Sequence, residues 1–179
     1  MLKIVKYPHP ALRTKAKTIT KITPQIQKLG RQMIQALTAD PDNPKGVGLA
    51  GNQVNKLIRI FVIQMPDNKF EAIINPKILK TSKKTLLSIP KENQFLEGCL
   101  SFPGYYGFVN RPIKIKVAYK TLKGLEKQTI LTPPHSSYFQ HELDHLNAVL
   151  FIDHLEKNQL PIYLADKKGK LQLVNNPFL

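Results

Sequence analysis

Gln140-His141-Glu142-Leu143-Asp144-His145-Leu146 is the stretch that decides how this chain folds and what it carries. On an α-helix each residue advances about 100°. With His141 set at zero, His145 falls at about 40°, Glu142 at about 100°, and Phe139, Leu143, Leu146 and Leu150 between roughly 140° and 200°. The segment therefore reads as a packed helix with one apolar stripe and, beside it, a stripe of two imidazoles and a carboxylate. Two histidines four residues apart can grip one ion, and the glutamate can reach the water beside it. The plain alternative is a surface helix that holds this pattern by chance. The flanking apolar stripe argues against it, because packed histidines need partners.

Working outward, the helix is expected from His135 to about Asn147, after Pro133-Pro134. An earlier helix is expected from Thr23-Pro24, hydroxyl cap followed by proline at the first helical position, with Ile26, Leu29, Met33 and Leu37 on one face and Asp40-Pro41 as its end. A turn-rich stretch follows from Asp42 to Asn52, and Leu57 to Gln64 and Glu71 to Ile74 read as strands joined by a turn at Asn68. Lys77 to Pro90 has room for one or two further strands of undefined register. Ile113, Ile115 and Val117 alternate with polar residues as in a half-buried strand, and Lys123-Gly124 reads as the hairpin turn into Lys127 to Leu131. The tail carries a short strand, Leu171 to Val174. Strands followed by a late helix indicate α+β and not alternating βαβ. The expected fold is a single catalytic domain over residues 1–179, with antiparallel sheets packed around a central metal-binding helix and a second, N-terminal helix.

Composition narrows the class. The apolar fraction of 42% with 22% charged residues is that of a globular protein, and no apolar run approaches a membrane span. One cysteine cannot form an internal disulfide, and the opening MLKIVKYPHP lacks the core of a signal peptide, so the expected address is the cytoplasm. The formal charge of +15 is unevenly placed: Met1 to Ala39 holds eight Lys or Arg and no acid, and Ala72 to Lys91 is again purely basic until Glu92. Such a surface attracts polyanions, ribosomal or other RNA included, although no RNA-binding motif accompanies it and a scattered, solvated lysine surface with no particular partner is the favoured reading. DNA is not an expected partner.

Two imidazoles need a third ligand. The metzincin continuation wants glycine and histidine where this chain has Ala148 and Phe151, so that reading fails. A later carboxylate, Glu156 or Asp166, remains open, as does Cys99 within Glu97-Gly98-Cys99-Leu100-Ser101. A lone cysteine is also a common buried hydrophobe.

Three separated motifs carry a resemblance to the peptide deformylases. GVGLAGNQ (Gly46 to Gln53) is similar to that family's glycine-rich first motif, EGCLS (Glu97 to Ser101) matches the second, and QHELDHL (Gln140 to Leu146) the third. The opening, with Tyr7-Pro8 and Leu12-Arg13, is also similar, so the resemblance covers about the first 155 residues. It implies that Cys99, His141 and His145 bind a metal, Fe(II) first and Zn(II), Ni(II) or Co(II) after it, and that Glu142 is general base and acid. It also implies that the Gln53 amide and the Leu100 N–H stabilise the oxyanion. The backbones of Val47, Gly48 and Gly98 would pair with an extended peptide. The implied reaction releases formate from N-formylmethionyl nascent peptides, with the ribosome a possible partner of the basic surface.

The chemistry fits those residue types. Three protein ligands leave a coordination position for water, whose pKa a zinc-like ion brings to about 7. A carboxylate can take the water's proton and pass one to the leaving amine, and a formyl oxygen that becomes negative needs donors already in place. Val47 and Phe95 read as walls of the methionine pocket, with Ser137 and Tyr138 approaching it, and Arg111 is expected to pair with Asp144 behind the helix. The chain departs from the family at Gly51, where alanine is usual, and at Pro134 and Ala148, where glycine is common. The segment between Asn75-Pro76 and Glu97 also reads as long, and the tail as strand instead of terminal helix. Two rivals remain at this point: an HExxH peptidase with a downstream carboxylate, and a basic RNA-binding protein with a vestigial site.

Overall fold

A computed structural model describes residues 2–39, 46–175, 177 and 178. Helix α1 spans Pro24–Thr38, and the Thr23 side chain accepts a hydrogen bond from the Ile26 N–H, as its cap position requires. The expected stop at Asp40-Pro41 lies outside the described residues; the described helix ends on Thr38, where the Ala39 N–H still reaches Gln35 O. Nine strands are described: β1 (Gly48–Ala50), β2 (Ile60–Gln64), β3 (Phe70–Thr81), β4 (Glu97–Cys99), β5 (Phe102–Gly107), β6 (Ile115–Lys120), β7 (Glu126–Leu131), β8 (Ile162–Ala165) and β9 (Leu171–Val174). They form two antiparallel sheets, β1-β2-β3-β6-β7 and β4-β5-β8-β9. Helices α2 (His135–Leu146) and α3 (Phe151–Lys157) follow β7.

The five-stranded sheet lies between the two longer helices. Ile60 and Val62 of β2 join Leu29, Met33 and Leu37 of α1, while Phe61 and Ile63 join Phe139 and Leu146 of α2. Alternate residues of one strand thus enter two cores, which is why β2 is apolar throughout and not alternating. The Phe61 and Phe139 rings meet edge to face with centroids 5.1 Å apart. A third cluster, with Leu12, Phe102, Val109, Phe151, Leu155 and Ile162, ties α3 and the N-terminal segment to the second sheet. Helix α2 thereby sits centrally, with polar residues His141, Glu142 and His145 buried alongside its apolar stripe.

Four strand expectations change, the simplest being that Ile113 lies outside β6, which begins at Ile115. Residues 57–59 stay outside β2 because they pair with the N-terminal segment: Lys17 N donates to Leu57 O, and Arg59 N to Lys17 O. The strand expected over Glu71–Ile74 runs on to Thr81, the first of its two register irregularities, between Ile74 and Lys77, absorbing Pro76, which has no N–H to give a ladder. Within Lys77 to Pro90 there is accordingly the end of one strand and then a 3-10 turn at Leu86–Ser88, not two strands. The turn residues behave as read, Asn68 at φ 62° and Gly124 at φ 81°.

Ala148 ends α2 in the left-handed region, φ 62°, where the Val149 N–H bonds back to Asp144 O at 3.0 Å. A glycine fits that position without a Cβ penalty. Gly51 is the reverse: a Cβ there would stand 2.6 Å from Lys56 O and 2.9 Å from Ile58 O, both backbone atoms. Ala148→Gly should therefore stabilise the fold by about 1 kcal/mol, and Gly51→Ala should destabilise it by about 1–3 kcal/mol. Denaturant midpoints of the two variants against the parent check both signs.

Candidate functional site

Helix α2 supplies His141, Glu142 and His145; β4, a strand of the other sheet, supplies Cys99. Their donor atoms converge: Cys99 Sγ, one nitrogen of His141 and one of His145 lie within 4.8 Å of one another, and all three residues are buried. Cys99 Sγ is 3.2 Å from His145 Nε2, and the two imidazole centroids are 5.0 Å apart. The carboxylates of the rival reading do not join them. Glu156 is exposed, and Asp166 Oδ1 is taken by the Lys168 and Lys170 N–H groups of its own turn.

A thiolate and two imidazoles within that span are a donor set for a borderline divalent ion. Glu142 Oε2 and His145 Nδ1 are buried with no hydrogen-bond partner among the described residues. Burial pushes the Glu142 carboxyl up to about 7, with Glu97 and Asp144 adding to the rise and His141 and Arg111 opposing it. Burial and then His141 hold the His145 imidazole well below its ordinary value. For His141 burial is outweighed by the Cys99 sulfur and the Glu97 carboxylate, which draw a proton to it. An ion at this point would take that proton's place.

Behind the donors runs a buried polar network. His141 Nδ1 lies 3.1 Å from Glu97 Oε2. Arg111 donates to both oxygens of Glu97, at 2.5 and 3.0 Å, and to Asp144 Oδ2 at 2.7 Å. The expected Arg111–Asp144 pair is present. Asp144 Oδ2 also meets His154 Nε2 at 2.8 Å, which joins α3 to the network. The sequence reading missed Glu97 and His154. Glu97 had a signal, its place two residues before Cys99; His154 had none, since α3 was not anticipated.

Gln53 is fully buried, its Oε1 accepting from the Ala50 N–H at 2.8 Å and its Nε2 donating toward Cys99 Sγ at 3.4 Å and Ser101 Oγ at 3.3 Å. The site opens into a cleft of about 790 Å³ whose lining includes Val47, Gly48, Gln53, Phe95, Gly98, Leu100, Ser137, Tyr138, His141 and Glu142. Both glycines are close-approach positions. A Cβ on Gly48 would collide with the Glu142 carboxylate, and one on Gly98 would stand 2.6 Å from the Tyr106 ring. The Val47 carbonyl accepts from the Gln64 N–H at 2.9 Å, so its backbone points into the sheet and the next residue, Gly48, points to the open edge.

A family model for polypeptide deformylases matches residues 1–160. The chain belongs to the polypeptide deformylase family. A peptide deformylase of Endomicrobium trichonymphae is 40% identical over 156 residues, 86% of each chain. That of Desulforudis audaxviator is 35% identical over 153 residues, 86% of this chain and 92% of the relative. Among solved structures, the Thermotoga maritima peptide deformylase superposes with a TM-score of 0.76 at 36% identity, covering 86% of this chain and 97% of that one. The family is one of metal-dependent enzymes, and the resemblance read in the three motifs extends over residues 1–160.

Glu97→Gln should weaken metal affinity about 10- to 100-fold, because the partner that orients His141 becomes neutral. Competition for the ion with a chelator reads this directly. Unchanged affinity would mean that Glu97 serves the fold alone.

Proposed function

We propose that this peptide deformylase hydrolyses the formyl group from N-formylmethionyl nascent peptides, releasing formate, as one catalytic domain of the cytoplasm. Among the described residues no helix is long and apolar enough to cross a membrane. The observation that carries the reading is the convergence of Cys99, His141 and His145, the first two lining a cleft that the Glu142 carboxylate also lines from outside the donor set. In this reading Cys99, His141 and His145 hold the ion, Fe(II) in the native enzyme, with Zn(II), Ni(II) and Co(II) as substitutes. An ion there supplies the Lewis acidity that makes water a nucleophile near neutral pH.

The remaining steps belong to the chain's own side chains. Glu142 takes a proton from the attacking water and delivers one to the departing amine nitrogen. The Gln53 Nε2–H and the Leu100 N–H donate to the formyl oxygen as it becomes negative, and the Gln53 amide is already held by Ala50. The peptide lies as an added strand between the edges presented by Gly48 and Gly98, with Val47 contributing less than either because its backbone faces the sheet. The methionine side chain enters the pocket walled by Val47, Phe95, Ser137 and Tyr138. The basic surface meets the RNA of the ribosome.

Formate release from formyl-Met peptides by the Fe(II) enzyme prepared without oxygen tests the reading. Glu142→Gln should keep the ion and lose turnover by at least about 100-fold, whereas Cys99→Ser should lose the ion itself. A Cys99→Ser variant that binds metal as tightly as the parent contradicts the donor set. In air the Fe(II) form should lose activity while a Ni(II) form persists, since the iron and the Cys99 thiolate are both oxidisable; equal lifetimes would count against iron as the native ion.

Ser137 is almost wholly buried and lines the cleft with Val47, Phe95 and Tyr138. Its hydroxyl trims the gain from a long apolar side chain. Ser137→Ile should raise the methionine-over-alanine ratio in kcat/KM at the first residue, and a ratio that stays level would place Ser137 outside the contact.

A further inference from the structure

The lysines that look scattered in the sequence gather on one bare sheet face. Lys80 of β3 pairs with Lys116 of β6, which pairs with Ile130 of β7; one step along, Lys77 pairs with Ala118 and Ala118 with Gln128. Residues 116 and 118 share a face, so both rows do. Lys77 and Lys80, three apart, would point oppositely in a regular strand. The register irregularity between Ile78 and Lys80 brings them to the same side. Lys114, tied to Ser82 through both its N–H and its carbonyl, extends the Lys116 row, and exposed Lys83 and Lys84 follow in the same turn.

Nothing in the described chain covers or neutralises the part of this face that carries Lys77, Lys80, Lys114 and Lys116. Helix α1 lies over its other end, where Ile74 pairs with Lys120, and leaves the β6–β7 half open, with Leu79 48% and Ile130 55% exposed. Lys120 and Lys127 have carboxylate partners, Glu126 and Glu71. Lys77, Lys80, Lys114 and Lys116 have no ion-pair partner among the described residues. Two lysines directly opposite across a ladder repel and weaken the sheet. A bound polyanion removes that repulsion. The opposite face of the same strands, Ile115, Val117 and Leu131, packs on α2, so a ligand on the lysine face leaves the cleft free.

We propose that this face, Lys77, Lys80, Lys114 and Lys116, is a docking surface for the sugar-phosphate backbone of RNA. Ammonium groups on flexible stems bind phosphate as point charges, which sets no sequence preference. The choice of RNA among polyanions rests on the reading that the substrate is a nascent chain, because RNA is the polyanion where such chains emerge.

The test measures binding of the full metal-loaded enzyme to a short mixed-sequence single-stranded RNA over a range of salt. Two variants of equal charge are compared: Lys77→Ser, Lys80→Ser, Lys114→Ser and Lys116→Ser together, and exposed Lys15→Ser, Lys21→Ser, Lys157→Ser and Lys167→Ser together. The face variant should bind at least about tenfold more weakly, its slope of log K against log salt smaller by about 3, while the control set changes affinity less than about threefold. Equal losses in both variants would overturn the proposal, since net charge alone would then explain the binding. No loss in either overturns it too. Phosphatidylserine vesicles are run in parallel, and dependence on the face for vesicles but not for RNA overturns it in favour of a lipid surface. Formate release from a short formyl peptide should be the same in parent and both variants. Its absence in the parent would count against the proposed hydrolysis and leave the RNA result standing on its own.

Discussion

Arg111 is the tie on which the site depends. It is 4% exposed, follows β5, and grips Glu97 of β4 with one edge of its guanidinium and Asp144 of α2 with the other. These contacts fasten the strand that carries Cys99 to the helix that carries both histidines. A buried arginine costs much desolvation unless its charge and its N–H groups are matched, and here two carboxylates match them. Burial opposes the charge, but Glu97 and Asp144 reverse the balance and hold the guanidinium above its ordinary value. Removing one carboxylate would leave an unbalanced charge in the interior, so the network carries both architecture and function. Its last link, Glu97 to His141, reaches the metal centre itself.

This arrangement explains why two sheets are needed. One sheet could present the cysteine or cradle the helix, but the thiolate and the imidazoles must come from opposite walls for a cleft to open between them. Sheet β1-β2-β3-β6-β7 holds α2 by its apolar stripe, and sheet β4-β5-β8-β9 is held by α3 and the N-terminal segment. Their facing edge strands, β1 and β4, carry the glycines of the cleft. At Gly48 even a methyl group would displace the Glu142 carboxylate, so that glycine serves the glutamate as much as any substrate.

The sequence showed most where one residue pattern has one geometric meaning. The helix periodicity around His141 placed the imidazoles, the carboxylate and the stripe of Phe139, Leu143 and Leu146 correctly, although Leu150 lies beyond α2 and packs in the third cluster, and Thr23-Pro24 marked the start of α1. Asp144 and Arg111 could be paired because the helical count put Asp144 on the side away from Glu142. Among the short elements, β9 was read at Leu171–Val174, but β4, β8 and α3, with three, four and seven residues, were not, being too short for a period to emerge. The length of β3 was hidden by Pro76 and by a basic run whose outward lysines resemble a loop. Those lysines share a face through an irregularity that no alternation rule anticipates. Cys99 and His141 are brought together by pairing between distant segments, and before the family resemblance the residues alone left a downstream carboxylate open as third ligand.

The central claim is that one sulfur and two imidazole nitrogens from this chain surround the catalytic ion. X-ray absorption of the zinc-loaded enzyme tests it most directly, because sulfur and nitrogen scatter at different distances. The account predicts one sulfur at about 2.3 Å and two imidazole nitrogens at about 2.0–2.1 Å. A shell of nitrogen and oxygen alone in the parent enzyme would contradict it.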